Sequence, residues 1–286
     1  MIITRLIGGL GNQLFQYAAG KSLAIFHNTE LKLDLTGFNK TTNRYFLLDN
    51  FNIHADIATK SEIRRIRKGP SLIGSYLFKE EGDTFHIFSE SHFKYHEEFY
   101  DLPDNTYLEG YWQSYKYFEE ISAVIREEFT IKSDISRYGN ILQEIQDTES
   151  VAIHIRLGDY LTNPEAHAFH GLCSSEYYNS AINFMVNRLN DPHFFVFSDD
   201  IHLAKERFQL SGLDVSYIEG QTGKMSYLDL YIMSKCRHFI IANSTYSWWS
   251  AWLGSNHEKI VIAPKKWFTD SSIDTRDLYL PSYVLK

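Results

Sequence analysis

The sequence predicts an α/β protein built on parallel, doubly wound sheets. Three features of the chain point there. Short apolar runs alternate with helix-patterned stretches from Ser150 onward, which is the rhythm of βαβ units. The first 35 residues read as strand, glycine turn, helix and strand. Strand after strand then closes in polar residues, as at the carboxyl edge of an open α/β sheet, where ligands bind.

Met1 to Ile7 is the first strand. Gly8-Gly9-Leu10-Gly11-Asn12 is a turn, and Gln13 to His27 is a helix with Leu14, Tyr17, Ala18, Leu23 and Phe26 at helical spacing. Glu30 to Leu35 is the second strand. Glycine in such a turn lets backbone approach a ligand, and the helix behind it offers free N–H groups to an anion. The pattern lacks the G-x-G-x-x-G dinucleotide fingerprint. Between Thr36 and Pro103 the pattern is weak, apart from a helix over Thr59 to Lys68 opened by a Thr59/Glu62 capping box. Thr106 to Trp112 is a strand. Ser114 starts a helix with Phe118, Ile121, Ile125 and Phe129 on one face. Asp134 to Gln146 is another.

The second half is more regular. Val151–Arg156, His193–Phe197, Asp214–Ile218, Phe239–Ala242 and Lys259–Ala263 read as strands. Ser175–Leu189, Ile201–Leu210, Met225–Cys236 and a stretch from Asn243 to about Gly254 read as helices, with Gly212 as a C-cap. The chain therefore divides near Thr148 into two α/β domains, 1–148 and 149–286, whose sheet edges are expected to face a cleft.

At 286 residues, two medium domains fit. A net charge of −8 argues against a nucleic-acid partner. Two cysteines, Cys173 and Cys236, make no disulfide framework, so a reducing cytoplasm is expected. No apolar run approaches a membrane span, and polar residues interrupt the N-terminal apolar stretch where a signal peptide would need continuity. Loose attachment at the inner face of a membrane stays open. The basic cluster Arg64-Arg65-Ile66-Arg67-Lys68 reads as a solvated helix face.

The chemistry-bearing residues sit at strand ends. His154 and Arg156 are two apart, so they share a strand face. A planar guanidinium grips phosphate oxygens bidentately; the structural alternative is an Arg156–Asp159 ion pair. Asn243-Ser244-Thr245 opens a helix and suits both an N-cap and a phosphate cup. Asp199-Asp200 reads as a helix cap or a contact to base or ribose rather than a metal site. His92 with His96, and His167 with His170, lack a third ligand at zinc spacing. Trp248, Trp249 and Trp252 share a short helix and read as core. No G-x-S-x-G elbow is present, and neither cysteine has a reactive context.

Together these motifs resemble the bacterial α-1,2-fucosyltransferases of glycosyltransferase family 11. The resemblance rests on Gly8-Gly9-Leu10-Gly11-Asn12-Gln13-Leu14-Phe15-Gln16-Tyr17 and on Glu109-Gly110-Tyr111-Trp112-Gln113-Ser114. It also rests on His154-Ile155-Arg156-Leu157-Gly158-Asp159-Tyr160, on Phe197-Ser198-Asp199-Asp200 and on Asn243-Ser244-Thr245-Tyr246-Ser247-Trp248-Trp249. Leu157 departs from the pattern, since many relatives carry a second arginine there.

The resemblance implies a GT-B architecture, two Rossmann-like domains facing a cleft. It implies GDP-fucose as donor substrate, inversion at the anomeric carbon, no cofactor and no metal. The acceptor would be a galactose-terminated oligosaccharide or glycolipid. The N-terminal domain would serve the acceptor and the C-terminal domain the GDP-sugar. Arg156 would grip the β-phosphate, and His154, Asp199 and Asp229 would face the nucleoside. Asn243, Ser244 and Thr245 would meet the phosphates, with Gly9 and Gly11 in the turn across from them. Asn12 would lie near the fucose and the attacking hydroxyl. Asp159 would be either the general base or the group that orients Arg156. Trp112, Gln113 and Tyr115 are acceptor-side candidates. The alternatives are a GT-B transferase for another sugar nucleotide, and a non-catalytic nucleotide- or glycan-binding protein.

Overall fold

The computed structural model describes residues 1–38, 44–68, 86–158, 163–208, 210–221 and 223–286. Contacts divide the chain into two units. The first is Met1–Thr130 with Asp274–Leu278, and the second is Ile131–Ile273 with Tyr279–Lys286. The division thus follows Thr130 rather than Thr148, because the helix Gly139–Asp147 packs on the second unit's sheet.

Among the described residues, the first unit holds a five-stranded parallel sheet. Its strands are β1 (Ile2–Arg5), β2 (Leu31–Asp34), β3 (Asp56–Ile57), β4 (His86–Ser89) and β5 (Thr106–Glu109), in the order β3-β2-β1-β5-β4. The order reverses between β1 and β5. The helix after the glycine turn runs from Leu10 to Phe26, so the turn feeds it directly, with Gly9 as N-cap. Its packing on β1 is very close: a Cβ on Gly20 would collide with the Thr4 hydroxyl. Phe26, expected inward, is 59% exposed at the helix end and leans on Tyr100.

The Thr59/Glu62 capping box forms. Thr59 N–H donates to Glu62 Oε2 at 2.6 Å, and Glu62 N–H to Thr59 Oγ1 at 3.2 Å. Ile63 and Ile66 of that helix (Lys60–Lys68) pack with Ile3 and Tyr107. The helix expected from Ser114 is broken into 3₁₀ turns at Tyr115–Tyr117 and Glu119–Ile121, followed by the helix Ser122–Glu128. Ser114 explains the late start. Its hydroxyl donates to Asp277 O at 2.8 Å and accepts from Lys116 N at 3.3 Å, which holds the chain out of helical geometry.

The second unit carries a six-stranded parallel sheet, again among the described residues: β6 (Glu149–Ile155), β7 (Pro192–Ser198), β8 (Asp214–Tyr217), β9 (His238–Ile240), β10 (Val261–Ala263) and β11 (Val284–Leu285). The order is β11-β10-β9-β6-β7-β8. This is the doubly wound order, with its reversal between β6 and β9, the position where such sheets bind nucleotides. Val151, Ile153, Phe194, Val196, Ile240 and Ile262 form the core of one face. Trp248, Trp249 and Trp252 are buried as expected. The helix after β7 ends at Arg207, earlier than expected, with Phe208 and not Gly212 (φ +82°) as its C-cap. Among the described residues no helix is long and apolar enough to cross a membrane.

Candidate active site

In the second unit, the carboxyl ends of β6, β7 and β9 bring the candidates together. Arg156 follows β6 directly, and its Nη1 lies 2.8 Å from Asp199 Oδ2 at the end of β7. Asp199 Oδ1 accepts the Leu157 N–H at 2.8 Å. Both carboxylate oxygens are thus engaged, and Asp199 fixes the loop as well as the guanidinium. Gly158 makes this approach feasible, since a Cβ there would lie 2.5 Å from Asp199 Oδ2. Asp159, the partner expected for Arg156, lies outside the described residues, as does Tyr160. Asp200 plays a separate part. Its Oδ1 accepts the Leu203 N–H at 3.0 Å and caps the next helix (Ile201–Arg207).

His154 is buried at the end of β6. Burial pushes its imidazole down to about 4; the Asp199 carboxylate opposes this and the Arg156 charge adds to it. The ring is therefore neutral near pH 7, and its buried Nδ1 has no hydrogen-bond partner. It lies against the Tyr246 ring, centroids 5.6 Å apart. The Tyr246 hydroxyl reaches Ser226 O at 2.5 Å, tying the helix Thr245–Leu253 to the helix Ser226–Met233 that carries Asp229. Asp229 accepts the Gln221 N–H at 2.7 Å. Its Oδ2 sits where a side chain on Gly220 would fall, beside the carbonyl of Ser198. Burial raises the Asp229 carboxyl to about 7, despite the Gln221 bond that lowers it.

Ser244 stands at the N-cap of the helix Thr245–Leu253 in extended geometry, but its hydroxyl makes no capping bond. Free N–H groups at such an end suit an anion. Asn243 departs from expectation. Its Nδ2 donates to the carbonyls of His170, Gly171 and Trp267. Its Oδ1 lies 3.4 Å from the Cys173 thiol. That side chain holds loops together, so its place among the phosphate contacts is taken up by structure. His92 and His96 stack ring on ring at 4.1 Å. Among the described residues no group of three or more His, Cys, Asp or Glu is placed to hold a metal ion.

In the first unit the switch point joins the turn after β1 to the turn after β5. Gly8 has φ +80°, and a Cβ on it would meet Asn12 Nδ2 at 2.6 Å. Gly9 accepts N–H bonds from Asn12 and Gln13, and Gly11 is buried. Asn12 Oδ1 accepts from Gln113 Nε2 at 3.2 Å.

Two buried glutamines of the opening motif do work that the sequence reading did not assign. Gln13 bonds Gly8 O, Tyr45 O and Leu47 N–H. Gln16 takes the Ile7 N–H at 3.0 Å and gives to Gly110 O at 3.0 Å, joining the two turns. The available signal was their position. Spaced three apart, they fall on the same helix face as Leu10, Leu14 and Tyr17, where a buried polar side chain must find polar partners. Trp112 is fully buried at φ +56°, a region that bulky residues rarely occupy. Tyr115 is half-buried at the start of the first 3₁₀ turn.

Residues 1–285 match the family described as Glycosyl transferase family 11. The chain belongs to that family. An alpha-1,2-colitosyltransferase of Escherichia coli is 39% identical over 295 residues, covering 97% of this glycosyltransferase and 96% of the relative. The O-antigen biosynthesis glycosyltransferase WbnK of Escherichia coli is 34% identical, covering 93% and 95%. Among solved structures, NodZ alpha-1,6-fucosyltransferase soaked with GDP-fucose is similar, with a TM-score of 0.53 at 14% identity, covering 88% of this chain and 91% of that one. The family 11 chain thus has a GT-B type fold, two Rossmann-like units each with a parallel sheet.

Proposed function

We propose that this family 11 glycosyltransferase moves L-fucose from GDP-L-fucose to the 2-hydroxyl of a terminal β-galactoside, with inversion and without a metal. The observation that carries the reading is Arg156, held by Asp199 across the carboxyl ends of β6 and β7, with the helix Thr245–Leu253 opening after β9 on the other side of β6. In the step proposed, the 2-hydroxyl oxygen attacks the anomeric carbon as the bond to the β-phosphate breaks. The bonding electrons leave with GDP. Arg156, with the N–H groups and hydroxyls at Ser244 and Thr245, stabilises that growing charge. The hydroxyl proton passes to a carboxylate base, for which Asp159 is the candidate. Asn12, with Gly9 and Gly11, serves the sugar side. The acceptor is a galactose-terminated oligosaccharide or glycolipid, the second placing the chain at a membrane surface.

The colitosyltransferase relative favours a second donor. Colitose is fucose without its 3-hydroxyl, so the two donors share every feature that Arg156 and Asp229 would read. Transfer from GDP-L-fucose and from GDP-colitose to a panel of β-galactosides, with and without EDTA, separates the readings. GDP-L-fucose is expected to give the higher kcat/KM, unchanged by EDTA. Transfer from GDP-colitose alone moves the donor assignment to the 3-deoxy sugar, and transfer from neither removes it.

Asp229 supplies a second prediction. Guanine presents N1–H and N2–H₂ side by side, a pair that an ionised carboxylate accepts well. A carboxyl raised to about 7 from its ordinary 3.8 holds its proton more tightly folded than unfolded. Its stabilising contribution is complete below the ordinary value and is lost as pH rises through about 7. Guanine needs the ionised form, so GDP affinity should rise about tenfold between about pH 6 and about pH 8. Calorimetric titration of the wild type and of Asp229→Asn checks this. The variant should lose the pH dependence, and an unchanged profile in it would remove Asp229 from base recognition.

A further inference from the structure

Glu90 belongs to none of the sequence motifs, yet it is the group around which the turn after β5 is built. It follows β4 directly, and its N–H donates to Glu109 O at 2.9 Å. Its Oε2 accepts the Tyr111 N–H at 2.6 Å, and its Oε1 accepts the Trp112 N–H at 3.0 Å. The turn is pinned from the other side by Gln16, which gives to Gly110 O. Gly110 is packed so tightly that a Cβ on it would lie 2.5 Å from Glu90 Cβ. Between these two grips, Trp112 is held at φ +56°.

The next residue is Gln113. It is buried, and its Nε2 is spent on Asn12. Its Oε1 is buried without a hydrogen-bond partner, as is the indole Nε1 of Trp112. Buried polar atoms without partners are costly. The Trp112 indole is packed among Phe88, Phe99 and Tyr117, whereas Gln113 Oε1 belongs to the side chain that holds Asn12, the asparagine proposed for the sugar side. An acceptor of this kind is what a sugar hydroxyl, which gives as well as takes a hydrogen bond, requires.

We propose that Glu90 is a positioning residue for the acceptor: its carboxylate sets the Gly110–Gln113 turn so that Gln113 Oε1 is presented to a hydroxyl of the galactoside. It acts through the backbone of Tyr111 and Trp112 and touches no substrate. Two acceptor oxygens are needed, one for each N–H. A glutamine offers one oxygen and sets an NH₂ against the second N–H. Burial pushes the Glu90 carboxyl up to about 7, and the two N–H bonds oppose that rise by favouring the ionised form that accepts both of them.

The inference rests on the acceptor reading above, and the test keeps the two apart. In the full chain, Glu90→Gln is assayed with saturating donor and the best-used disaccharide among lactose, N-acetyllactosamine and galactosyl-N-acetylgalactosamine. The acceptor KM is expected to rise on the order of tenfold, with GDP affinity within about twofold of wild type and kcat changed less than KM. A residue that only supported the fold would lower the melting temperature and leave the acceptor KM of the folded fraction alone.

Glu90→Asp keeps both oxygens on a shorter stem and should raise the acceptor KM by a smaller factor. An unchanged acceptor KM in whichever of the two variants folds overturns the assignment. Gln113→Ala is the companion measurement. If it raises the acceptor KM and the Glu90 variants do not, the positioning role alone is lost. If neither moves it, the acceptor reading itself is wrong.

Discussion

Arg156→Lys should retain the fold and lose about 10²–10³-fold of turnover, with a much smaller loss of GDP affinity. The guanidinium is one-quarter exposed, and its Nη1 is already committed to Asp199. The planar fork has other N–H groups on the same rigid plane, so it can hold Asp199 and still meet a phosphate. An ammonium is a single point that can satisfy either partner but not both in fixed geometry. The deficit should appear in kcat, because the charge on the leaving diphosphate grows as the sugar departs. Steady-state kinetics with GDP calorimetry settles the matter, and turnover within about threefold of wild type would remove Arg156 from the role.

Asp199→Asn should be nearly as damaging, for a different reason. Asparagine can still accept the Leu157 N–H through its one oxygen, but it turns an amide NH₂ toward the guanidinium. Arg156 then loses its orienting charge while the loop stays roughly in place. Turnover is expected to fall on the order of tenfold or more, with a stability loss of about 1–2 kcal/mol for a half-buried pair. The preference for GDP over UDP and ADP should not change, because both oxygens of Asp199 are engaged within the protein. Were this aspartate to read the base, one of the nucleoside contacts expected for it, that preference would collapse while turnover at saturation survived. Nucleotide competition against the variant distinguishes the two outcomes.

What could be read from the amino-acid sequence follows from how periodic each element is. The second unit's strands β6, β7 and β8 are apolar runs bounded by turns and helices, so alternation alone located them within a few residues. Strands β3 and β11 are two residues long, too short for any period to register. β4 is mostly exposed, which hides it from an apolar search. Arg156 stood out by type and by its place at a strand end, whereas Asp229 entered only through the family resemblance. The bond from Arg156 to Asp199 did not stand out, because it spans two strands adjacent in space but more than forty residues apart. The same holds for Gln16 and Glu90, whose roles are set by backbone groups far along the chain. Asn243 shows the converse. Its place in the motif suggested a ligand contact, and its neighbours in space have claimed it for three carbonyls.

One consequence concerns the order in which the protein is made. The first unit includes Asp274–Leu278. Asp277 there accepts from Tyr95 N at 3.0 Å, pairs with Lys116 at 2.5 Å and takes the Ser114 hydroxyl on its carbonyl. A ribosome therefore delivers the last strap of the N-terminal half only after nearly all of the other half has emerged. Until then the turns around Tyr95 and Ser114 lack their clasp, and a fragment cut after Thr130 would carry the same gap permanently.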